Sequence, residues 1–389
     1  MGLGGAALCE AGSRLSRLEV GAGITRTATG LTKGAGIIQI GSTIAHNITA
    51  STTVDPASGK LVVDVSQGGA TSQAKALSEG FLGGVGLATQ GADLAAGQGM
   101  LSAVGAARSA VNGMSFAGFG ALSGASSRYN TGSHIDMQSL SLLTGLALGA
   151  DTAAGRLTVG AFFEYGNGSY DTYNSFSNAA SVHGGGNTHY FGGGVLARMD
   201  FTETGPGHFY AEASGRAGML HNKYDNKDMR DMMGRTAEYE SDTPYYGLHF
   251  GAGYVWNFNE KASLDLYGKY FWTRVQGDSF TLSTGERLKF EDVDSNRLRL
   301  GGRFSYAVNE YIAPYVGAAW EHEFNGKAKA NTNGYAIDAP SLMGSTGVGE
   351  LGLTWTPSTT LPLTVDLGVQ GYVGMREGVS GALQVRWEF

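Results

Sequence analysis

The sequence predicts an all-β transmembrane protein, and the strongest indication is its C-terminal segment. The last eleven residues, VSGALQVRWEF, alternate between apolar and polar positions without interruption and end on Phe389. A tilted β-strand of this length crosses the hydrocarbon core of a bilayer with one face towards lipid. The chain has no stretch of about 18 or more apolar residues, which a transmembrane helix requires. We therefore expect an outer-membrane β-barrel and exclude a helical membrane protein.

The composition agrees with a barrel that has a lipid-facing outside and a polar lumen. The 389 residues include 63 glycines, 18 tyrosines and 17 phenylalanines, and only 16% are charged. The formal charge of −7 argues against a nucleic-acid partner, because phosphates require a basic surface. Cys9 is the single cysteine of the sequence, so no internal disulfide is expected.

Counting the C-terminal strand, eleven segments show this alternation. Each has apolar side chains on one face and polar side chains on the other, which indicates one face in lipid and one in a polar lumen. In chain order the segments are residues 139–148, 156–165, 191–201, 209–219, 246–258, 264–272, 297–308, 312–323, 350–355, 363–373 and 379–389.

The connections between these segments predict one further strand. Short connections lie at 150–155, 202–206, 259–261, 309–311 and 357–360, and long polar ones at 167–187, 222–242, 277–294 and 325–344. In barrels of this type short turns face the periplasm and long loops face outwards. If the last strand descends, the first of the eleven descends too, and an ascending strand must precede it. Residues Ser115–Ser127 supply that strand, so we expect a closed, antiparallel barrel of twelve strands.

The segment before the barrel is rich in Ala, Leu and Gly and predicts a helix. Leu94, Leu101 and Val104 are spaced so that a helix brings them near one face. Residues 92–111 alone would measure ~30 Å as a helix, about the height of a barrel wall, and Asn112–Gly113 would end it. The expectation is that residues 72–112 thread the lumen, with Asp93 and Arg108 as the ions of the helix; a soluble core helix is the alternative.

Taken together, these segments resemble the C-terminal translocator domain of autotransporters, the type V secretion pathway. The resemblance covers residues 72–389 and rests on MSFAGFGALSG, LLTGLALGAD, GRLTVGAFFEYG, NRLRLGGRFSYAVNEYIAPYVGAAWEHEF and LQVRWEF in this order. It implies that the barrel anchors an N-terminal passenger in the bacterial outer membrane and exports it to the cell surface. Many members carry an Asn-Asn pair where the passenger is cut. Here Asn112 precedes Gly113, so self-cleavage is not expected.

The resemblance also implies a division of the chain and a set of partners. Residues 1–71 would be a passenger remnant or linker, 72–112 the lumenal helix and 113–389 the barrel. The start, MGLGGAALCEAGSRL, lacks the features of a secretory signal, so the sequence is expected to be part of a longer protein. Two strand-like pieces at residues 33–54 and 60–66 suit either the last coils of a β-solenoid or a disordered spacer. The implied partners are outer-membrane lipids, the β-barrel assembly machinery, periplasmic chaperones and the chain's own passenger.

Two groups of residues are candidates for specific roles. By resemblance, Phe389 and Trp387 form the C-terminal signal that the assembly machinery recognises; as lipid-facing aromatics they need no further role. Inward-facing charges are expected to pair with each other or to hold the helix, although a simple hydrated pore wall is the alternative. These lumen-lining residues are Arg297, Arg299, Arg303, Glu321, Glu323, Glu350, Asp366 and Arg386.

Catalytic motifs are absent from the sequence, which has no GxSxG, HExxH, CxxC or Walker pattern. His322 and Glu323 are neighbours on a strand and therefore point to opposite faces, which favours a surface role for His322. His134, His183 and His221 fall in external segments. We expect neither enzymatic activity nor a metal or cofactor. A general porin and a barrel enzyme with a rim active site are the alternatives to a translocator.

Overall fold

Twelve antiparallel strands, β1 to β12, close into a barrel in the computed structural model. The structure describes residues 38–42, 44–54, 61–108, 116–203, 205–231, 233–357 and 363–387. Each strand pairs with its neighbours in sequence, and β12 pairs with β1 to complete the barrel. The strands β1 to β12 are, in order, Phe116–Asn130, His134–Thr152, Gly155–Asn174, Val182–Phe201, Gly207–Arg230, Thr236–Asn257, Ala262–Val275, Val293–Tyr306, Ile312–Glu323, Gly344–Trp355, Leu363–Gly374 and Arg376–Trp387. The predicted twelve-stranded barrel is confirmed, including the strand inferred from parity.

Two of the predicted long loops are wrong, because most of their residues extend the strands. The strand β3 continues to Asn174 before β4 begins at Val182, and β5 continues to Arg230 before β6 begins at Thr236. The reason is that the alternation is reversed beyond the lipid-facing band, where apolar side chains face inwards and polar side chains face outwards. There the tyrosines of these strands are buried inside, as for Tyr170, whereas carboxylates such as Asp171 and Glu240 face outwards. A pattern defined as apolar-out and polar-in misses such residues.

The outer surface carries the lipid-facing stripe. Among the described helices none is long and apolar enough to cross a membrane. The large apolar side chains of the strands are instead exposed on the outside of the barrel, which in water would be unfavourable and in lipid is favourable. Residues that are more than half exposed there include Leu140, Phe163, Val195, Phe250, Leu351 and Val369.

A continuous run of helix lies inside the barrel. A 3-10 turn, Ser72–Ala74, leads into α1, Lys75–Leu94; a π-helical turn, Ala95–Gly99, connects it to α2, Met100–Arg108. We call residues 75–108 the lumenal helix. At 1.5 Å per residue it measures about 50 Å, so it exceeds the thickness of a bilayer core. Asn112 and Gly113, the expected end, lie outside the described residues.

The lumenal helix has a defined direction in the barrel. We call the end with the β2–β3 turn the turn end, and the end with the β7–β8 and β9–β10 connections the loop end. At the loop end Lys75 Nζ lies 3.4 Å from Ser133 Oγ, in the β1–β2 connection. At the turn end Arg156, at the start of β3, donates a 2.5 Å hydrogen bond to the carbonyl of Ala107. The chain therefore enters the helix at the loop end and leaves it at the turn end.

Two small sheets lie at the loop end. The stem, which we define as residues 38–42, 44–54 and 61–71, contains a three-stranded antiparallel sheet of Ile38–Ser42, His46–Val54 and Leu61–Ala70. This meander differs from the parallel stacking of a β-solenoid coil and from a disordered spacer. The loop sheet has four antiparallel strands from the β7–β8 and β9–β10 connections: Ser279–Thr281, Arg287–Phe290, Ala330–Thr332 and Tyr335–Ile337.

Glycines allow the lumenal helix to lie directly against wall side chains. A Cβ added to Gly83 would lie 2.9 Å from three ring carbons of Tyr170, closer than van der Waals contact permits. Tyr170 is buried, and its hydroxyl donates to the carbonyl of Lys223 at 3.0 Å, so its ring has little freedom to move. Gly97, in the π-helical turn, has no atom within 4 Å of such a Cβ.

Replacing Gly83 with Ala should destabilise the folded barrel by ~1–3 kcal/mol through overpacking against Tyr170. The matched variant Gly97→Ala should be neutral or stabilising by up to ~1 kcal/mol, because Ala favours helix and meets no neighbour. The stability of both variants can be measured by urea unfolding of the refolded protein, with the difference in electrophoretic mobility between folded and unfolded barrel as the signal. Equal midpoints for the two variants would show that the helix does not pack as closely as described.

Candidate functional site in the barrel lumen

Asp93 lies in the middle of the lumenal helix and is held by three arginines. Arg297 Nη1 and Arg299 Nη2 lie 2.8 Å and 3.0 Å from its Oδ1, and Arg376 Nη1 lies 3.2 Å from its Oδ2. Arg297 and Arg299 occupy successive inward positions of β8, and Arg376 begins β12. All four side chains are at least 86% buried. Charges removed from water in this way need close partners, and here each has one.

Glutamates of β9 complete this cluster. Register places Arg299 opposite Glu321 and Arg297 opposite Glu323. Glu321 lies 2.6 Å from Arg299 and 3.4 Å from Arg297, so it offsets part of their charge. Glu323 instead accepts hydrogen bonds from the Ser295 hydroxyl and, at 2.7 Å, from the Asn296 amide. Glu321 therefore belongs to the cluster around Asp93, whereas Glu323 fixes the backbone next to it.

A second buried cation contacts the helix from β5, which is separate from the strands that hold Asp93. Arg216 of β5 donates to the carbonyl of Ala88 at 2.5 Å and forms an ion pair with Glu164 of β3 at 2.7 Å. The Tyr245 hydroxyl donates to the same Glu164 carboxylate at 2.6 Å. Both charged side chains are almost fully buried. Alternation places Arg216 and Glu164 inside, but only the closed barrel reveals that they meet each other and the helix.

Further donors from the wall reach the backbone of the helix. Lys269 Nζ donates to the Ala96 carbonyl in the π-helical turn at 2.7 Å, and Arg297 Nη2 donates to the Thr89 carbonyl at 3.1 Å. Nearer the loop end, the Tyr239 hydroxyl donates to Leu77 at 2.9 Å and the Asn222 amide to Gly80 at 3.0 Å. These contacts come from several sides, so they fix both the depth and the rotation of the helix.

Other residues predicted to line the lumen do so without holding Asp93. Arg303 pairs with Glu350 at 2.6 Å rather than with the helix. Asp366 accepts hydrogen bonds from Tyr315 at 2.9 Å and Thr354 at 2.7 Å. Arg386 lies beside Gly105 of the helix. Arg376, which does reach Asp93, was not among the predicted residues, because it follows a tight turn at the start of a strand.

The predicted helix residues have different surroundings. Leu94 and Val104 are buried, whereas Leu101 is half-buried. Arg108 is more exposed and lies 3.7 Å from Asp200 at the turn end. Phe389 and the side chain of Trp387 lie outside the described residues, so their predicted role stays a prediction.

Little space is left beside the helix. A cavity of about 60 Å³ borders the π-helical turn, with Asp93, Lys269, Arg299 and Arg303 among its lining residues. This volume accommodates a few water molecules. The lumen at this level is therefore filled by protein, with a polar cavity rather than a wide channel next to the helix.

The histidines give no support to a rim active site. His322 faces outwards, 5.7 Å from the Trp320 ring and 4.6 Å from the Phe324 ring, as expected for a surface histidine. His183 and His221 each bind a separate aspartate. Within the part of the chain that the structure describes, no group of three or more His, Cys, Asp or Glu residues could hold a metal ion.

A closed barrel with a lipid-facing exterior and a lumen filled by its own N-terminal helix defines an outer-membrane barrel of the translocator class. Residues 118–368 match the family model described as Autotransporter beta-domain. The chain belongs to this family, whose barrels are transport domains of the bacterial outer membrane and carry an attached passenger.

Solved translocator structures share the fold at low sequence identity. The transport unit of the autotransporter AIDA-I from Escherichia coli matches with a TM-score of 0.58 and 16% identity, covering 75% of this chain and 98% of that one. The β domain of the Bordetella autotransporter BrkA gives 0.54 and 15%, with 70% and 99% covered. The translocator domain of NalP from Neisseria meningitidis gives 0.54 and 13%, with 77% and 95% covered. No curated protein matched the sequence.

Replacing both Arg297 and Arg299 with Ala should raise the single-channel conductance in planar bilayers. Without these partners Asp93 is a buried carboxylate with too few cations, a loss of ~3–5 kcal/mol that favours withdrawal of the helix. The variant Arg303→Ala is the control, because its partner is Glu350, and the triple variant should resemble the double one. Unchanged conductance of the double variant would show that the helix is held mainly by other contacts.

Proposed function

We propose that this protein exports its own N-terminal passenger through, or with the help of, the barrel and then anchors it at the cell surface. The observation that carries the proposal is the path of the chain. The strand β1 begins at the turn end, the lumenal helix crosses the barrel, and the stem emerges at the loop end. Short turns of such barrels face the periplasm and loops face outwards. We therefore propose that the N-terminal part is exposed at the surface.

The composition of the helix is consistent with this route. Its Ala- and Gly-rich sequence gives a slim cylinder that fits between wall side chains. The acidic residues between Lys75 and Arg108 are Glu79 and Asp93, and Asp93 lies among the three arginines. In our proposal these ion pairs define the final position of the helix after export, so that the barrel is closed once the passenger is outside.

The same proposal assigns the parts of the chain. Residues 1–71 belong to the passenger or to the linker that joins it, residues 72–112 thread the lumen, and residues 113–389 form the barrel. A general porin is disfavoured because its channel needs open space, whereas here the helix and its contacts occupy the lumen. A barrel enzyme has no comparable support, and self-cleavage of the passenger is not part of the proposal.

We propose that assembly of the barrel uses partners that recognise it before it closes. We propose, from the resemblance to other outer-membrane barrels, that the assembly machinery binds the C-terminal strand and that Phe389 and Trp387 are its signal. Periplasmic chaperones would hold the chain until then. Before β12 pairs with β1 the open sheet has two free edges, and in our proposal the machinery recognises the edge of β12.

An epitope tag fused before Met1 tests export. The chain is expressed behind a signal peptide in a Gram-negative host, and intact cells are tested for surface label and sensitivity of the tag to external protease. We expect surface exposure that disappears when residues 72–112 are deleted. A tag that stays in the periplasm beside a folded barrel would contradict export and favour a porin.

Deletion of Phe389 tests the assembly signal. We expect a loss of folded barrel in the outer membrane, whereas protein refolded in detergent should keep its unfolding midpoint, because the sequence pattern predicts that this terminal residue faces lipid and contributes little to the fold. The variant Phe389→Trp, which keeps an aromatic terminus, should restore assembly. Normal assembly of the deletion variant would remove the signal role.

A further inference from the structure

The loop sheet covers the loop end of the lumen. Its two parent connections fold inwards, and the Phe290 ring stacks on Phe81 of the lumenal helix at 4.7 Å with planes 8° apart. The Phe280 ring stacks on Tyr239 of the long strand β6, with the ring centroids 4.5 Å apart. Leu288 and Phe290 are buried in the same apolar cluster as the first turns of the helix. The loop sheet is therefore a fixed part of the folded barrel rather than a loose external loop.

The stem binds to this sheet through a short buried segment. The Ala45 amide donates to Glu286 Oε1 at 2.9 Å. His46 Nε2 lies 3.2 Å from the Thr332 carbonyl oxygen and 3.1 Å from its hydroxyl. The three stem residues 44–46 are 7%, 0% and 0% exposed. Polar groups are rarely buried unless they are hydrogen-bonded, and here the partners are Thr332 of the loop sheet and Glu286, which directly precedes its strand Arg287–Phe290.

The start of the lumenal helix holds the same segment from the other side. The Thr71 amide donates to the Ala45 carbonyl at 2.9 Å, and the Thr71 hydroxyl donates to the Ile44 carbonyl at 2.8 Å. Residues 44–46 are thus enclosed between the loop sheet and the residue that leads into the helix. In addition, the stem strand Leu61–Ala70 lies next to Tyr335–Ile337, and among the described strands each is the outermost of its own sheet.

We propose that the loop sheet is a docking platform for the passenger stem, an interaction surface whose partner is residues 44–54 and 61–71 of the same chain. This inference rests on the proposed export function and adds where the passenger is first held outside the membrane. A small sheet or hairpin is marginally stable alone, and packing against further structure stabilises it. Glu286 and Thr332 supply directional bonds, so the platform fixes the orientation of the stem as well as its position.

The consequence is that folding of the passenger starts on a prepared surface. Forming a first layer of sheet in free solution requires ordering several segments at once, with a large loss of conformational entropy. On the platform, residues 44–46 and Thr71 are already ordered by the barrel. The stem sheet then provides the next edge to which further strands of the passenger can add.

Hydrogen exchange of the full chain, refolded in detergent, tests the platform. In Glu286→Gln the Ala45 amide loses its charged acceptor, and in Thr332→Val the His46 ring loses one partner. We expect exchange in residues 44–47 to be faster by about tenfold in Glu286→Gln, because the neutral amide oxygen of Gln is a weaker hydrogen-bond acceptor than a carboxylate. Exchange in residues 77–90 of the helix should be unchanged. The control Glu291→Gln makes the same chemical change at an exposed position of the same connection.

The outcomes separate the platform from export. Slower exchange of residues 44–47 in the native chain than in Glu286→Gln and Thr332→Val supports the platform, whether or not the Met1 tag is displayed on cells. Exchange that is as fast in the native chain as in an unfolded peptide, or equal in Glu286→Gln and Glu291→Gln, overturns it. Because exchange is measured on refolded protein, it decides this question even if the tag experiment fails. Should Glu286→Gln not fold, Thr332→Val gives the same comparison.

Discussion

The buried ion pairs of Asp93 are the constraint on which the rest of the structure depends. One carboxylate in the middle of a long helix is surrounded by guanidinium groups from β8 and β12, two strands that are far apart in sequence. A shift of the helix by one turn would separate these charges in a site with little water, which is costly. Asp93 is therefore a main determinant of the depth of the helix, together with the wall donors that reach its backbone, and the place where the stem emerges follows from this depth.

The shape of the helix complements the shape of the wall. Glycine in a helix is less favourable than Ala by about 0.5–1 kcal/mol, so a helix with glycines at positions such as 83 and 91 would be weak in isolation. Inside the barrel these positions face Tyr170 and Tyr190, whose rings take the space that side chains of the helix would otherwise need. Large side chains of the barrel wall thus pack against glycines of the helix, and neither surface would be well packed without the other.

Sequence reasoning succeeded where the environment imposes a simple contrast. Lipid outside and a polar lumen inside give a period of two, and this contrast placed Arg297 and Arg299 inwards on β8. It failed above the lipid band, where buried tyrosines and outward carboxylates reverse the contrast. The alternation also could not distinguish Arg303 from Arg297 and Arg299, because contact with Asp93 depends on the position of each arginine along the lumen. Arg376 could be recognised only once β12 closed against β1.

The heights of the two sides of the barrel explain how the stem is directed. The strands β2 to β6 have 19 to 24 residues, whereas β7 to β12 have 12 to 14. The connections of the short side lean across the lumen and meet the tall side where Phe280 stacks on Tyr239. The chain passes beside this cover, and Gln73 donates to the Ala180 carbonyl in the β3–β4 connection at 2.9 Å. The exit is therefore bordered by the loop sheet and the tall wall, so the barrel itself sets the direction in which the passenger leaves.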